Sequence, residues 1–343
     1  MIMKKKLLAL LLTGIMAMSL MTGCGEAPAS NTENATTEST DTASTETSSA
    51  DATETEDVFK IGVLQLTQHA ALDAANEGFI AALDEAGIVY EVDQQNAAGD
   101  ASTCVTIADK FVNDGKDLIY TIATPAAQAV AGATSDIPIV GSAITDYVEA
   151  GLINSNDAPG GNVTGSSDMN PIDAQLDLLL KLVPDAKTIG VLYSADEDNS
   201  VLQANLFTTA AEAKNLAVEK FTISSSNEIQ TVVQSMDGKV DACWIPTDNR
   251  LAAGMATVGM IANELKLPVI PGESNMVMEG GLATYGLDYY QLGYLAGEMA
   301  IDILVNGANP ADMPIQFLPA DKCELTVNEE TAAEIGIDLS VLK

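Results

Sequence analysis

Lys60-Ile61-Gly62-Val63-Leu64-Gln65 is a short apolar run, and Thr188-Ile189-Gly190-Val191-Leu192-Tyr193 repeats it 128 residues later. Each run has the length and the aliphatic content of a strand buried on both faces. The downstream order of elements is shared as well. Leu72, Ala75, Phe79, Ile80 and Leu83 recur at helical spacing, and Ala86-Gly87 closes that helix. The counterpart helix spans about Ser200 to Asn215. Val89 to Val92 predicts a second strand, matched by Ala217 to Ile223. A helix carrying Val105, Ile107 and Phe111 is matched by one over Asn227 to Met236. Leu118-Ile119-Tyr120-Thr121-Ile122 is matched by Val240-Asp241-Ala242-Cys243-Trp244-Ile245, and Ile137-Pro138-Ile139-Val140 by Leu267-Pro268-Val269-Ile270. Strands alternating with helices imply parallel sheets with helices on both faces. The duplication implies an α/β chain of two doubly wound, Rossmann-like lobes. Ligands of such sheets bind beyond the carboxyl ends of the strands, so the site is expected in the cleft between the lobes.

Upstream of residue 58 the pattern changes. Lys4, Lys5 and Lys6 precede an apolar run from Leu7 to Met21, shorter than the roughly 20 residues of a membrane span. Residues 1–23 therefore predict a secretory signal peptide. Met21-Thr22-Gly23-Cys24 resembles a bacterial lipobox, which would make Cys24 the lipidated mature terminus. Residues 24–57 are rich in Ser, Thr and Ala with nine acids and no Lys or Arg, a composition that predicts a disordered acidic tether.

The chain of 343 residues has 49 Asp and Glu against 15 Lys and Arg, a net charge of −34. Such a chain repels a phosphate backbone and offers no basic stripe, which excludes most nucleic-acid functions. Cys104, Cys243 and Cys323 show no CxxC or Cys/His spacing, so neither a zinc site nor a disulfide framework is expected, and no metal or cofactor is called for. Gly-x-Ser-x-Gly, P-loop and HExxH motifs are absent, as is Gly-x-Gly-x-x-Gly after the first strand. His69 is the single histidine and Arg250 the single arginine. No nucleophile-and-base set is evident, so no catalytic residue is assigned.

The strand ends define the candidate ligand groups. In the first lobe these are Gln65 and His69, then Thr124, Ala126, Ala127 and Gln128, then Thr145 and Asp146. In the second they are Tyr193, then Thr247, Asp248 and Asn249, then Glu273 and Ser274, with Tyr285 at a later strand end. Thr124-Pro125 opens a helix, so the Ala126 and Ala127 amides suit a carboxylate. Asp248 and Glu273 suit an ammonium group. Tyr193 and Tyr285 suit an apolar or aromatic side chain. Thr124 and Asp248 also read as simple helix caps, Glu273 as a solvated rim residue, the tyrosines as lobe packing, and Arg250 as a partner of surface acids.

Several of these stretches resemble one family of solute-binding lipoproteins. They are Ile61 to Gln65 with His69, Gln95-Asn96-Ala97, Ala123 to Gln128, Gly160 to Gly165, Pro246 to Asn249, and Ala283-Thr284-Tyr285-Gly286 with Asp288-Tyr289-Tyr290. The resemblance is to the ABC-transporter substrate-binding family that includes the tryptophan- and tyrosine-binding lipoproteins. It implies a type I periplasmic-binding-protein fold with hinge crossings near 165–170 and 284–288. Lobe one would hold residues 58–165 and about 287–312, and lobe two 166–286 and about 313–343. It further implies a monomer, lipid-anchored to the outer face of the bacterial cell membrane, that captures an amino-acid-like solute by cleft closure and passes it to an ABC permease with its ATPase. A surface adhesin with a vestigial cleft, or a receptor for another solute such as a nucleoside or sugar, is the alternative.

Overall fold

The computed structural model describes residues 58–319 and 322–342. The signal peptide, Cys24 and the tether lie outside the described residues. Among the described residues, no helix is long and apolar enough to cross a membrane.

The first half runs β1 (Phe59–Gln65), α1 (Ala70–Ala86), β2 (Tyr90–Asn96), α2 (Ala101–Asn113), β3 (Leu118–Ile122), α3 (Thr124–Ala133), β4 (Ile139–Ile144) and β5 (Val163–Ser167). The second runs α4 (Ile172–Leu182), β6 (Thr188–Ser194), α5 (Asp198–Ala213), β7 (Ala217–Ile223), α6 (Ile229–Gln234), β8 (Ala242–Ile245), α7 (Asn249–Ala253), α8 (Met255–Glu264), β9 (Val269–Pro271), α9 (Ser274–Met278) and β10 (Ala283–Gly286). The chain finishes with α10 (Tyr289–Asn306), β11 (Gln316–Phe317), β12 (Glu324–Val327) and α11 (Glu329–Ile335).

One sheet has the order β11-β5-β4-β3-β1-β2 and another β7-β6-β8-β9, with parallel pairing throughout. The order β2-β1-β3-β4 in one lobe is β7-β6-β8-β9 in the other, which is the duplication read from sequence. Local devices are duplicated too. Asp117 accepts from the Lys60 amide, and Asp241 accepts from the Lys187 and Thr188 amides, so one acid ahead of the third strand pins the start of the first. Phe79 of α1 stacks on Tyr120 of β3 at 3.8 Å, and Phe207 of α5 stacks on Trp244 of β8 at 4.3 Å. Each lobe thus closes its own core around one aromatic pair. Every residue of β3 is buried, as expected of a central strand covered by helices on both sides. Cys104 and Cys243 are buried free thiols, held above the ordinary thiol range by burial, at about 11 and about 12; Cys323 is half-buried and free.

The chain passes between lobes at Asp168–Pro171, at Leu287–Asp288 and between β11 and β12. The third crossing lies later than the boundary near 312 that the resemblance implied. β11 pairs in parallel with β5 of lobe one, whereas β12 pairs antiparallel with β10 of lobe two. Gln316 and Phe317 are only two exposed residues, too short a run to carry a strand period.

Candidate functional site

The ends of β1 and β4 face the ends of β8 and β9 across a narrow cavity. Lobe one contributes His69, Leu72 and Ala143. Lobe two contributes Thr247, Asp248 and Asn249 after β8, Ala252 of α7, and Glu273 after β9. The first hinge crossing contributes Asp168, and the start of α10, just after the second crossing, contributes Tyr289. Ala143 and Ala123, at the ends of β4 and β3, have φ of 55° and 87°. Non-glycine residues held there are strained, and such strain collects at ligand sites.

Carboxylates dominate this space. Asp168 is 3% exposed; its Oδ1 accepts from the Thr145 hydroxyl at 3.0 Å and its Oδ2 from the Tyr289 hydroxyl at 2.7 Å. Glu273 is 2% exposed and caps α9, accepting from the Asn275 and Met276 amides at 2.6 and 3.0 Å. Burial raises the Glu273 carboxyl to about 7, against the pull of those two amides, and it raises Asp168 also. Both acids therefore gain from a cation that enters the cavity. Asp248 is fully buried and committed elsewhere. It accepts from the Ser194 amide at 2.6 Å, the Ser194 hydroxyl at 2.9 Å and the Leu251 amide at 2.8 Å, so it caps α7 and ties it to the end of β6. Glu197 accepts from the Asn249 amide, the Asn249 side chain and the Arg250 amide; burial and the Asp248 charge raise its carboxyl to about 7.

His69 stands at the start of α1. Its Nε2 lies 3.5 Å from the Asn249 side-chain oxygen, across the cleft. Its Nδ1 is sealed from solvent and makes no hydrogen bond. Burial lowers the imidazole to about 4, so the ring is neutral.

The other expected residues divide into three groups. Thr124 lines a neighbouring, partly open cavity with Asp146, Asp198 and Asn199. The buried Thr124 hydroxyl has no partner, while the Ala127 amide is already bonded to the Ala123 carbonyl. Ala126 and Ala127 are buried in the first turn of α3. A second group joins the lobes. The Gln128 amide donates to Asp198 at 2.9 Å, and the Thr145 hydroxyl accepts from Gln203 of α5 at 3.2 Å. The third group turns away from the cavity. Gln65 donates to Thr67 and Asp73; Asp146 caps Val148 and Glu149; Ser274 accepts from Thr326. Tyr193 and Tyr285 pack on the edge of the lobe-two core, which is the packing role also read for them. Arg250 pairs with Asp196 at 2.5 and 2.9 Å, the surface-acid role.

Sequence reasoning passed over Asp168, Gln203 and Gln175, and it quoted Tyr289 without giving it a role. Asp168 lies in a hinge crossing, where no strand or helix period marks it. Gln175 of α4 is fully buried: it accepts from the Trp244 indole at 3.0 Å and donates to the Gly272 and Tyr285 carbonyls. It thereby fixes the turn that carries Glu273 to the hinge strand β10.

Residues 60–341 match the family described as ABC transporter substrate binding protein. A tyrosine-binding protein of Clostridioides difficile (strain R20291) is 42% identical over 335 residues, covering 96% of this chain and 92% of that one. A solved ABC domain from Streptococcus pneumonia in complex with L-Trp is 42% identical, with a TM-score of 0.80 over 83% of this chain and 98% of that one. A ligand-free, open substrate binding protein with adhesive properties from Clostridium difficile is 43% identical, but its TM-score is 0.64 over 82% and 96% of the two chains. At equal identity the chain superposes better on the ligand complex than on the open form, in keeping with the bonds that cross its cleft. The fold is that of the type I periplasmic binding proteins, and the cavity between its lobes presents buried charge to a solute. The chain belongs to the ABC transporter substrate binding proteins, a family that binds solutes and does not transform them.

Proposed function

We propose that this protein is the extracytoplasmic receptor of an ABC importer for an amino acid with an aromatic side chain, tryptophan or tyrosine above others. The observation that carries this reading is the pair of buried carboxylates, Asp168 and Glu273, on one cavity with Leu72, Ala143 and Ala252. An ammonium group answers the first two, and an apolar side chain fills the space beside the others. Asp248 carries the frame of the site and not the ligand. Relatives described as tyrosine-binding and as bound to L-Trp support the choice of side chain. Closure of the lobes buries the solute and shapes the surface that a permease with its ATPase reads. Cys24 carries the lipid, and residues 25–57 hold the folded part away from the membrane.

Mass spectrometry of the small molecules that co-purify with the protein, followed by calorimetry with the twenty amino acids, tests this. An aromatic amino acid is expected in the first and the tightest binding in the second. A second reading, a surface adhesin, is favoured by the relative with adhesive properties. A thermal-shift screen separates the two. A true ligand at 100 times its Kd adds about 2.7 kcal/mol, whereas an adhesin with a vestigial cleft shows no stabilising amino acid.

A further inference from the structure

We propose that His69 selects, among aromatic amino acids, those whose side chain carries a hydrogen donor, a phenol or an indole. This rests on the amino-acid reading above and narrows it.

Asn249 sets the tautomer of the ring. Its side-chain nitrogen donates to Glu197 at 2.7 Å, and its backbone N–H donates to the same carboxylate at 3.1 Å. These two bonds fix the orientation of the amide, so the oxygen is the atom turned to His69. An oxygen facing a ring nitrogen calls for a proton on that nitrogen, which places the imidazole N–H on Nε2. The ring is neutral, so Nδ1 is a bare acceptor. It is sealed from water and has no donor. The apolar neighbours Leu72, Ala143 and Ala252 supply none, and the Tyr289 hydroxyl is spent on Asp168. The carboxylates of Asp168 and Glu273 draw the ammonium end of the solute. The acceptor on His69 is left for a donor elsewhere on the ligand. A site with a buried acceptor rejects an analogue that cannot pair with it, because the acceptor then stays desolvated and unbonded.

Two pairs of probes differ in this donor and little else: L-tyrosine against L-phenylalanine, and L-tryptophan against its benzothiophene analogue, in which sulfur replaces the N–H. Calorimetry on the full chain is expected to show the donor-bearing member of each pair binding ~10-fold or more tighter. His69→Leu is expected to erase that ratio. His69→Gln, which keeps an acceptor, is expected to preserve part of it and to melt at the wild-type temperature. Equal binding within both pairs overturns the inference and leaves the amino-acid reading standing. So does a His69→Leu variant that weakens both members by one common factor, since His69 would then serve the backbone groups of the ligand or the fold. Failure of all four probes to bind removes the amino-acid reading and this inference with it.

Discussion

Asp248 and Glu273 stand in like places, each capping a short helix just after a strand, yet the structure gives them different work. Asp248 accepts from two amides and a hydroxyl, all inside lobe two. Removing it leaves those donors buried and unpaired, at roughly 1–3 kcal/mol for each poorly satisfied group. Asp248→Ala is expected to lower stability in urea by about 2–4 kcal/mol. The fraction that stays folded is expected to bind the amino acid with nearly unchanged affinity. Glu273 accepts from only two amides, and its burial is reflected in a carboxyl raised to about 7. Glu273→Gln keeps one capping oxygen and removes the charge, so stability is expected to stay within about 1 kcal/mol. Calorimetry is expected to show affinity falling at least ~10-fold, since an ammonium loses an ionic partner in a dry site. Opposite outcomes for the two variants would return the ammonium to Asp248.

The elements that carry a period were legible in the sequence, and those defined by a meeting of two surfaces were not. The run Leu118-Ile119-Tyr120-Thr121-Ile122 reads as a buried strand and is β3, residue for residue. The end of α1 at Gly87 is legible because glycine alone enters φ of 67° without strain. The strand ends were legible for the same reason, since βα periodicity locates them. Asp168 was not, because a crossing has no period and its burial comes from both lobes. Tyr193 and Tyr285 sit at strand ends but turn to the core, a direction that strand spacing alone did not decide. The contact of α1 with α10 is likewise invisible in one helix at a time. Gly78 faces the Tyr290 carbonyl and Gly293 faces the Ala75 carbonyl, and a Cβ at either position would collide with backbone. Neither neighbour can swing aside as a side chain would, so the helices must part. Gly293→Ala is expected to cost about 3 kcal/mol or more, despite the better helix propensity of alanine. Urea denaturation followed by circular dichroism measures it, and a neutral result would mean that α10 shifts freely on lobe one.

At the scale of the molecule, burial has raised the carboxyls of Asp168, Glu197, Asp248 and Glu273 together. A carboxyl raised on folding favours the folded state while protonated, and that contribution is lost as pH climbs from the unfolded value of 4.5 through the folded value of about 7. The net charge of −34 works in the same direction, since its self-repulsion grows as acids ionise. Thermal melting of the ligand-free protein is therefore expected to be highest near pH 5 and to fall towards pH 8, by about 2–4 kcal/mol of stability, with Glu273→Gln flattening part of the slope. Closure is a property of the molecule as well. Gln203 joins Thr247 of its own lobe to Thr145 of the other, at 2.7 and 3.2 Å, and Thr145 in turn donates to Asp168 on the cavity. The bond to Thr145 exists only while the lobes are closed, so it adds to the closed state and nothing to the open one. Gln203→Leu fills nearly the same volume and removes that bond. The closed population is expected to shrink, and apparent affinity with it, about fivefold for about 1 kcal/mol. Small-angle scattering of the unliganded variant is expected to give a larger radius of gyration than the wild type, returning to the wild-type value when saturated with amino acid. A radius unchanged without ligand would place the closing energy elsewhere, in the Gln128–Asp198 bond or in the cavity itself.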